Sequence, residues 1–213
     1  MDEMDALIDQ LIREGYLKTP RIVEAFRRIK RKDFVLPEMK NESAVNAPLP
    51  IGKGQTISQP LTVAFMLELL QPQKDDVVLD IGSGSGWQTA ILAHIVGKKG
   101  SVTAIERIQS LSDFGKKNVE KYCFTNTQFV CGDGTRGYPQ NAPFDKIIVA
   151  AGAQEIPDSL LKQLRIGGRL VIPVGLYEQE IVMQEKVLKN SIKEKRFPGF
   201  QFVPLIAGEI KKD

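Results

Sequence analysis

Apolar positions in the first 35 residues recur at helical spacing. Leu7, Ile8, Leu11 and Ile12 form one stripe, and Gly15 supplies a stop. Thr19-Pro20 opens a second helix, with Pro20 in a tolerated first-turn position and Ile22, Val23, Phe26 and Ile29 as its buried face. The basic residues Arg27, Arg28, Lys30, Arg31 and Lys32 then fall on the wet side, because Phe26, Ile29 and Phe34 take the inward positions. Residues 36–60 carry Pro37, Pro48, Pro50, Pro60, Gly52 and Gly54 and read as an ordered loop, too apolar and varied for a flexible linker.

From Leu61 onward short apolar runs alternate with helical stretches. The pattern predicts a helix over Pro60–Leu70, a strand over Val77–Ile81 and a helix over Gln88–Val96. It continues with a strand over Val102–Ile105, a helix over Leu111–Tyr122, and strands over Gln128–Val130 and Lys146–Ala150. A helix over Ser159–Leu164 and a strand over Arg169–Val174 follow. Strands this apolar, separated by helices, predict an α/β protein with a doubly wound, mostly parallel sheet covered on both faces. Glu180–Leu188 and Gln201–Ile206 read as an antiparallel pair at the sheet edge, joined through Pro198-Gly199. One domain over 1–213 is expected: N-terminal helices and a loop to residue 60, a core over 61–175, and a strand pair over 176–213.

Composition narrows the class. Among 213 residues, 42% are hydrophobic and 26% charged, which argues against disorder and coiled coil. The formal charge of +3 is a small surplus spread along the chain and requires no nucleic-acid partner. No run of roughly 18 apolar residues exists to span a membrane. The acidic start, Met1-Asp2-Glu3-Met4-Asp5, lacks the pattern of a secretory signal. Cys123 and Cys131 form neither a metal-ligand pattern nor a disulfide framework, as expected of free thiols in a reducing cytoplasm. His94 is the single histidine, so a Ser-His-Asp triad or a histidine zinc site is nearly excluded on inventory; eight residues up the helix from Gly86, it stands about 12 Å away.

The chemistry begins at Asp80-Ile-Gly-Ser-Gly-Ser-Gly86, directly after a strand and before a helix. Glycines there let a ligand approach the backbone beside unpaired N–H groups. Trp87 stands where a dinucleotide fingerprint needs its third glycine, and the GxGxG spacing fits a ligand whose carboxylate and ribose, rather than a pyrophosphate, meet the loop. Glu106 closes the next strand, placed to accept ribose hydroxyls, with Arg107 beside it. Asp133, in Cys131-Gly-Asp-Gly134, follows the third strand and suits an adenine amine, while Asp80 lies where a ligand ammonium sits. Acids at three consecutive strand ends favour an adenosine-bearing cation such as S-adenosylmethionine; no GxxxxGK[ST] loop supports ATP. Upstream, the segment Pro48–Pro60 ends at a helix start, where Ser58 is a natural N-cap and a carboxylate site.

The segments PLPIGKGQTISQP, VLDIGSGSGWQTAILA, GDGTRG, APFDKIIVAAGAQEIPDSLLKQLRIGGRLVIPVG and FVPLIAGE resemble the protein-L-isoaspartate O-methyltransferase family along nearly the whole chain. The resemblance implies a seven-stranded, Rossmann-like class I methyltransferase fold with an N-terminal helical extension and an antiparallel C-terminal edge. It implies methyl transfer from S-adenosyl-L-methionine to the free α-carboxylate of L-isoaspartyl residues in damaged proteins and peptides, leaving S-adenosyl-L-homocysteine. The family's active-site serine falls on Ser58. Its cofactor residues fall on Asp80, Gly82, Ser83, Gly84, Gly86, Glu106, Arg107, Asp133 and Gly134. Thr56, Ile57, Ser58, Gln59 and Val203 are expected at the substrate, in a groove between the 51–59 loop and the edge around Val203-Pro204. The family often has tyrosine and aspartate where Ala44 and Asn46 stand, and tyrosine at Trp87. A monomer without metal, nucleic-acid or membrane partner is expected. Three other readings stay open at this point: a class I methyltransferase for RNA or a small molecule, a nicotinamide oxidoreductase, and a noncatalytic S-adenosylmethionine binder.

Overall fold

A computed structural model describes residues 3–211; Met1 and Asp2, part of the expected acidic start, and Lys212 and Asp213 lie outside the described residues. Two helices lead, α1 (Glu3–Arg13) and α2 (Pro20–Arg28). Met4, Leu7, Ile8 and Leu11 are buried on α1, but Ile12 turns outward at 37% exposure, one step past the inward arc. Gly15, at φ 77°, closes α1 in the left-handed region that a Cβ disfavours. Pro20 occupies the first turn of α2, whose Ile22, Ala25 and Phe26 are buried. The expected all-wet basic run breaks at Arg31, whose side chain is fully buried.

The stretch read as a loop contains a hairpin, β1 (Leu49–Gly52) and β2 (Gln55–Ile57). Lys53 and Gly54 turn it at φ 53° and 70°, the two positive angles that a tight hairpin connection needs. Next come α3 (Pro60–Leu70), β3 (Val77–Ile81), α4 (Trp87–Val96), β4 (Ser101–Glu106), α5 (Gln109–Glu120) and β5 (Thr127–Cys131). The chain continues through β6 (Phe144–Val149), α6 (Asp158–Gln163), β7 (Leu164–Val174), β8 (Gln179–Leu188) and β9 (Ser191–Phe200).

Seven strands pair in the order β5-β4-β3-β6-β7-β8-β9. The first five run parallel, and β8 and β9 are antiparallel additions at one edge. The edge partner of β8 is therefore Ser191–Phe200, not the expected Gln201–Ile206. Its Lys193, Lys195 and Arg196 look out to solvent, as suits an edge strand guarded by charge, and so it lacks the apolar signature of an inner strand. Residues 201–211 instead cross the carboxyl ends of the strands. Pro204 bridges to Gly152 and Ile210 to Ile108, and the Gln179 side-chain amide donates to the Phe202 carbonyl and accepts from its N–H.

Side chains alternate across the sheet. Val78, Val102, Ile148 and Val171 pack against helices α1 to α5, while Leu79, Ile147, Leu170 and Ile172 pack toward α6. The N-terminal stretch is tied to the turn after α5 as well: the Lys30 N–H donates to the Tyr122 hydroxyl, which itself donates to Asp33. Strand order reverses at β3, flanked by β4 and β6, which opens a crevice at the carboxyl end of these strands.

Candidate active site

The crevice is a cleft lined by the turn Gly82–Ser85, by Ser58 and its neighbours, and by the crossing C-terminal segment. Gly82 and Gly84 adopt φ 78° and 47°, conformations that keep the turn flat against β6 and free of side chains. A Cβ on Gly84 would stand 3.1 Å from Ile51 Cδ1, and one on Gly134 2.3 Å from Ile81 Cγ2. Packing within the cleft wall thus itself requires glycine at 134 and leaves little room for a side chain at 84. The Ser83 hydroxyl is buried in this wall without a hydrogen-bond partner among the described residues. An orphaned hydroxyl beside a bare glycine cradle fits a polar ligand group placed against the turn.

Glu106 is buried where β4 ends. Its carboxylate accepts from the Gly84 N–H and the Ile108 N–H, each at 3.1 Å, so it shapes the turn as well as facing the cleft. Burial pushes its pKa up, and those backbone hydrogen bonds oppose the shift.

Of the residues singled out in the sequence, Thr56, Ile57, Ser58, Gly82, Ser83, Gly84, Glu106, Arg107, Gly134 and Val203 line the cleft together. Asp80, Gly86, Asp133 and Gln59 stand behind or beside it. Strand parity puts Asp80 on the face of Val78, under α4, where it accepts from Gln88 Nε2 at 2.8 Å and Thr89 Oγ1 at 2.6 Å. Gly86 is the N-cap of α4 and touches α5. Asp133 accepts from the Thr135 N–H and hydroxyl. Burial works against its charge, but hydrogen bonds from Thr135 and the Gly208 N–H hold its pKa down. It thereby ties the C-terminal segment to the loop after β5. Gln59, not Ser58, is the N-cap of α3, and Asn46 Oδ1 accepts the Leu61 N–H at 3.0 Å from outside the helix. The Ser58 hydroxyl is left over for the cleft.

Reasoning from sequence missed Ala150 and Ala151, which follow β6 and were findable as the far side of the strand-order reversal, and Leu205 and Ile206, which roof the cleft. Among the described residues no group of acids, cysteines and histidine is placed to hold a metal. His94 sits at the far end of α4 beside Glu24.

Burial pushes the Asp80 carboxyl up to about 6 from an ordinary 3.8, with Glu106 adding repulsion and Thr89 and Gln88 opposing the shift. Its folded-state pKa exceeds the unfolded one. The stability it contributes is thus fully present below about pH 4 and lost as pH rises through about 6. Asp80→Asn removes this titration. In denaturant unfolding, the parent should lose about 3 kcal/mol relative to the variant between about pH 3 and pH 8; parallel profiles would count against the assignment.

Five parallel strands, a glycine turn at the reversal and an acid closing the next strand define a class I S-adenosylmethionine-dependent methyltransferase. Its fold is shared with a crystal structure of a beta-aspartate methyltransferase from Plasmodium falciparum in complex with S-adenosyl-L-homocysteine. That chain is 24% identical, with a TM-score of 0.84 over 94% of this chain and 97% of that one. The family model for protein-L-isoaspartate(D-aspartate) O-methyltransferase matches residues 2–210. Protein-L-isoaspartate O-methyltransferases of Thermococcus onnurineus and Methanopyrus kandleri are 45% and 43% identical. They cover 97% and 96% of this chain and 96% and 92% of their own lengths. The chain belongs to the protein-L-isoaspartate O-methyltransferase family.

Proposed function

We infer that this protein transfers a methyl group from S-adenosyl-L-methionine to the free α-carboxylate of L-isoaspartyl residues in damaged proteins and peptides, leaving S-adenosyl-L-homocysteine and initiating repair. The observation that carries the reading is that Ser58, whose hydroxyl has no hydrogen-bond partner among the described residues, and the glycine turn line one cleft. When bound, S-adenosyl-L-methionine supplies a methyl group activated by its sulfonium.

The protein's share is alignment and exclusion of water. An isoaspartyl α-carboxylate, with a pKa near ~4, is already ionised at neutral pH and needs no base. The cleft matches that economy: no histidine lines it, and both Glu106 oxygens are engaged by backbone N–H groups. Ser58 donates to one carboxylate oxygen and so aims the other. A neutral hydroxyl holds the group without drawing off its charge, as an arginine would. Thr56, Ile57 and Gln59 border the peptide on one side and Val203 on the other. Gly82, Ser83, Gly84, Glu106, Arg107 and Gly134 hold the cofactor. Asp80, Gly86 and Asp133 serve it from behind by fixing the turn and the loops around it. Ile51, Ile57, Val63 and Leu205 line the cleft with apolar surface, which strengthens the attraction between carboxylate and sulfonium.

Transfer of labelled methyl groups to an isoaspartyl peptide and to its normal aspartyl twin tests the reading. A base-labile label on the first alone is expected; equal labelling of both, or of neither, overturns it. Ser58→Ala should lower kcat roughly 10- to 100-fold, the worth of one hydrogen bond to a charged group, with S-adenosyl-L-homocysteine affinity by calorimetry within about 3-fold of the parent.

The same reading extends to a monomer working in the cytoplasm, without nucleic-acid or membrane partner. The free thiols of Cys123 and Cys131 suit a reducing compartment. No helix among the described residues is long and apolar enough to cross a membrane.

A further inference from the structure

Arg31 is the most conspicuous charge in the interior. Its side chain is fully buried, and no carboxylate partners it among the described residues. Burial lowers its pKa to about 10, so it stays protonated at neutral pH. A buried cation is costly unless its donors are used, and a neutral side chain of similar size would fill the space at less expense. What a guanidinium adds is a planar fork of donors.

The two terminal nitrogens of that fork are spent on main-chain oxygens, while Nε is buried without a hydrogen-bond partner among the described residues. One terminal nitrogen donates to the carbonyls of Ser43 and Val45 at 3.0 and 3.1 Å, and the other to those of Ala47 and Ser58 at 2.8 and 3.1 Å. Three contacts gather the approach to β1, where Ala44 offers no polar side chain of its own. The fourth falls on the residue whose hydroxyl faces the cleft. The guanidinium carbon also lies 5.5 Å from the centre of the Trp87 ring, a cation–π distance. Trp87 is the first residue of α4, immediately after the glycine turn, and its indole N–H donates to the Ile29 carbonyl at 3.3 Å.

We propose that Arg31 is a positioning residue for the methyl transfer: seated on Trp87 and bonded to the Ser58 carbonyl, it sets where the Ser58 hydroxyl stands relative to the cofactor turn. The inference rests on Ser58 orienting the substrate carboxylate. The path from cofactor to substrate is then short and continuous, from the glycine turn to Trp87, to Arg31, to Ser58. Each link is a direct contact. Moving a hydroxyl by a fraction of an ångström leaves the cleft intact but misdirects the carboxylate, so the effect belongs in turnover and not in cofactor affinity.

A double-mutant cycle tests this. Arg31→Lys keeps the charge but cannot reach four carbonyls. In the Ser58 background it should lower kcat on an isoaspartyl peptide about 10- to 30-fold, with S-adenosyl-L-homocysteine affinity changed less than about 3-fold. In the Ser58→Ala background the same substitution should cost less than about 3-fold, because the group it positions is gone. An equal loss in both backgrounds, a parental kcat in Arg31→Lys, or a loss of cofactor affinity as large as the loss of turnover overturns the proposal. A parental kcat in Ser58→Ala alone is a different outcome: it removes the role given to Ser58, and the positioning role with it. Should Arg31→Lys fail to fold, Arg31→Gln, which keeps a planar pair of donors, carries the same cycle.

Discussion

Gly86→Ala is expected to cost the protein its cofactor and about 3 kcal/mol of stability or more. Gly86 sits at φ 85°, a conformation that penalises an L side chain by roughly 1–2 kcal/mol. An added Cβ would stand 2.7 Å from the Gly115 carbonyl oxygen and 2.9 Å from Val119 Cγ2, and relieving such overpacking costs about 1–3 kcal/mol more. The carbonyl belongs to α5 and cannot swing aside. Nor can the helix withdraw freely, because Asn118 Nδ2 donates to the Ser85 carbonyl at 3.1 Å and a Cβ on Gly115 would itself meet the Gly84 oxygen at 2.6 Å. Turn and helix touch backbone to backbone. Any relaxation therefore moves Gly84, whose N–H is bonded to Glu106, and deforms the floor of the cleft. Thermal unfolding and calorimetry with S-adenosyl-L-homocysteine measure both effects; a melting temperature within about 2 °C of the parent, together with unchanged affinity, would refute the account.

Glu106→Ala should raise the dissociation constant of S-adenosyl-L-homocysteine about 100-fold and leave kcat at saturating cofactor within about 5-fold of the parent. The loss has two sources. The acid proposed to hold the ribose is gone, and hydrogen bonds to charged groups are worth about 1.5–3 kcal/mol. The N–H groups of Gly84 and Ile108 also lose their acceptor, which loosens the turn at its centre. Turnover should be spared because Ser58, proposed to orient the substrate carboxylate, lies on the stretch joining β2 to α3, outside the hydrogen bonds that Glu106 makes. Cofactor titration paired with saturated initial rates separates the two; equal falls in affinity and kcat would show that Glu106 also shapes the reacting centre.

Helix α3 and strand β3 lie where the apolar runs placed them, to the residue, because each run is bounded by proline, glycine or charge and its length, eleven residues against five, suits only one kind of element. The hairpin β1–β2 escaped because strands of four and three residues leave too short a period, and Pro50 and two glycines mask it. Strand β9 escaped for the opposite reason: an edge exposed along most of its length has no apolar face to display.

The glycine turn and Glu106 were legible because strand ends and their spacing are local features. Asp80 was half legible. Its position beside the turn could be read, and parity with Val78 already implied the face under α4 where its side chain points. Arg31 was not legible at all. Its partners lie 12 to 27 residues further along the chain, and nothing in a run of basic residues marks the one whose donors main-chain oxygens will claim.

The interior arginine bears on how this chain can be recombined with its relatives. A crossover near residue 60 would take the guanidinium from one parent and the indole beneath it from the other, along with Asp33 from the first and Tyr122 from the second. A chimera from parents that differ at either pairing inherits a mismatch far from the visible junction. The front segment and the nucleoside-holding half are thus coupled as co-inherited parts, and shuffling has to move both sides of each pair together.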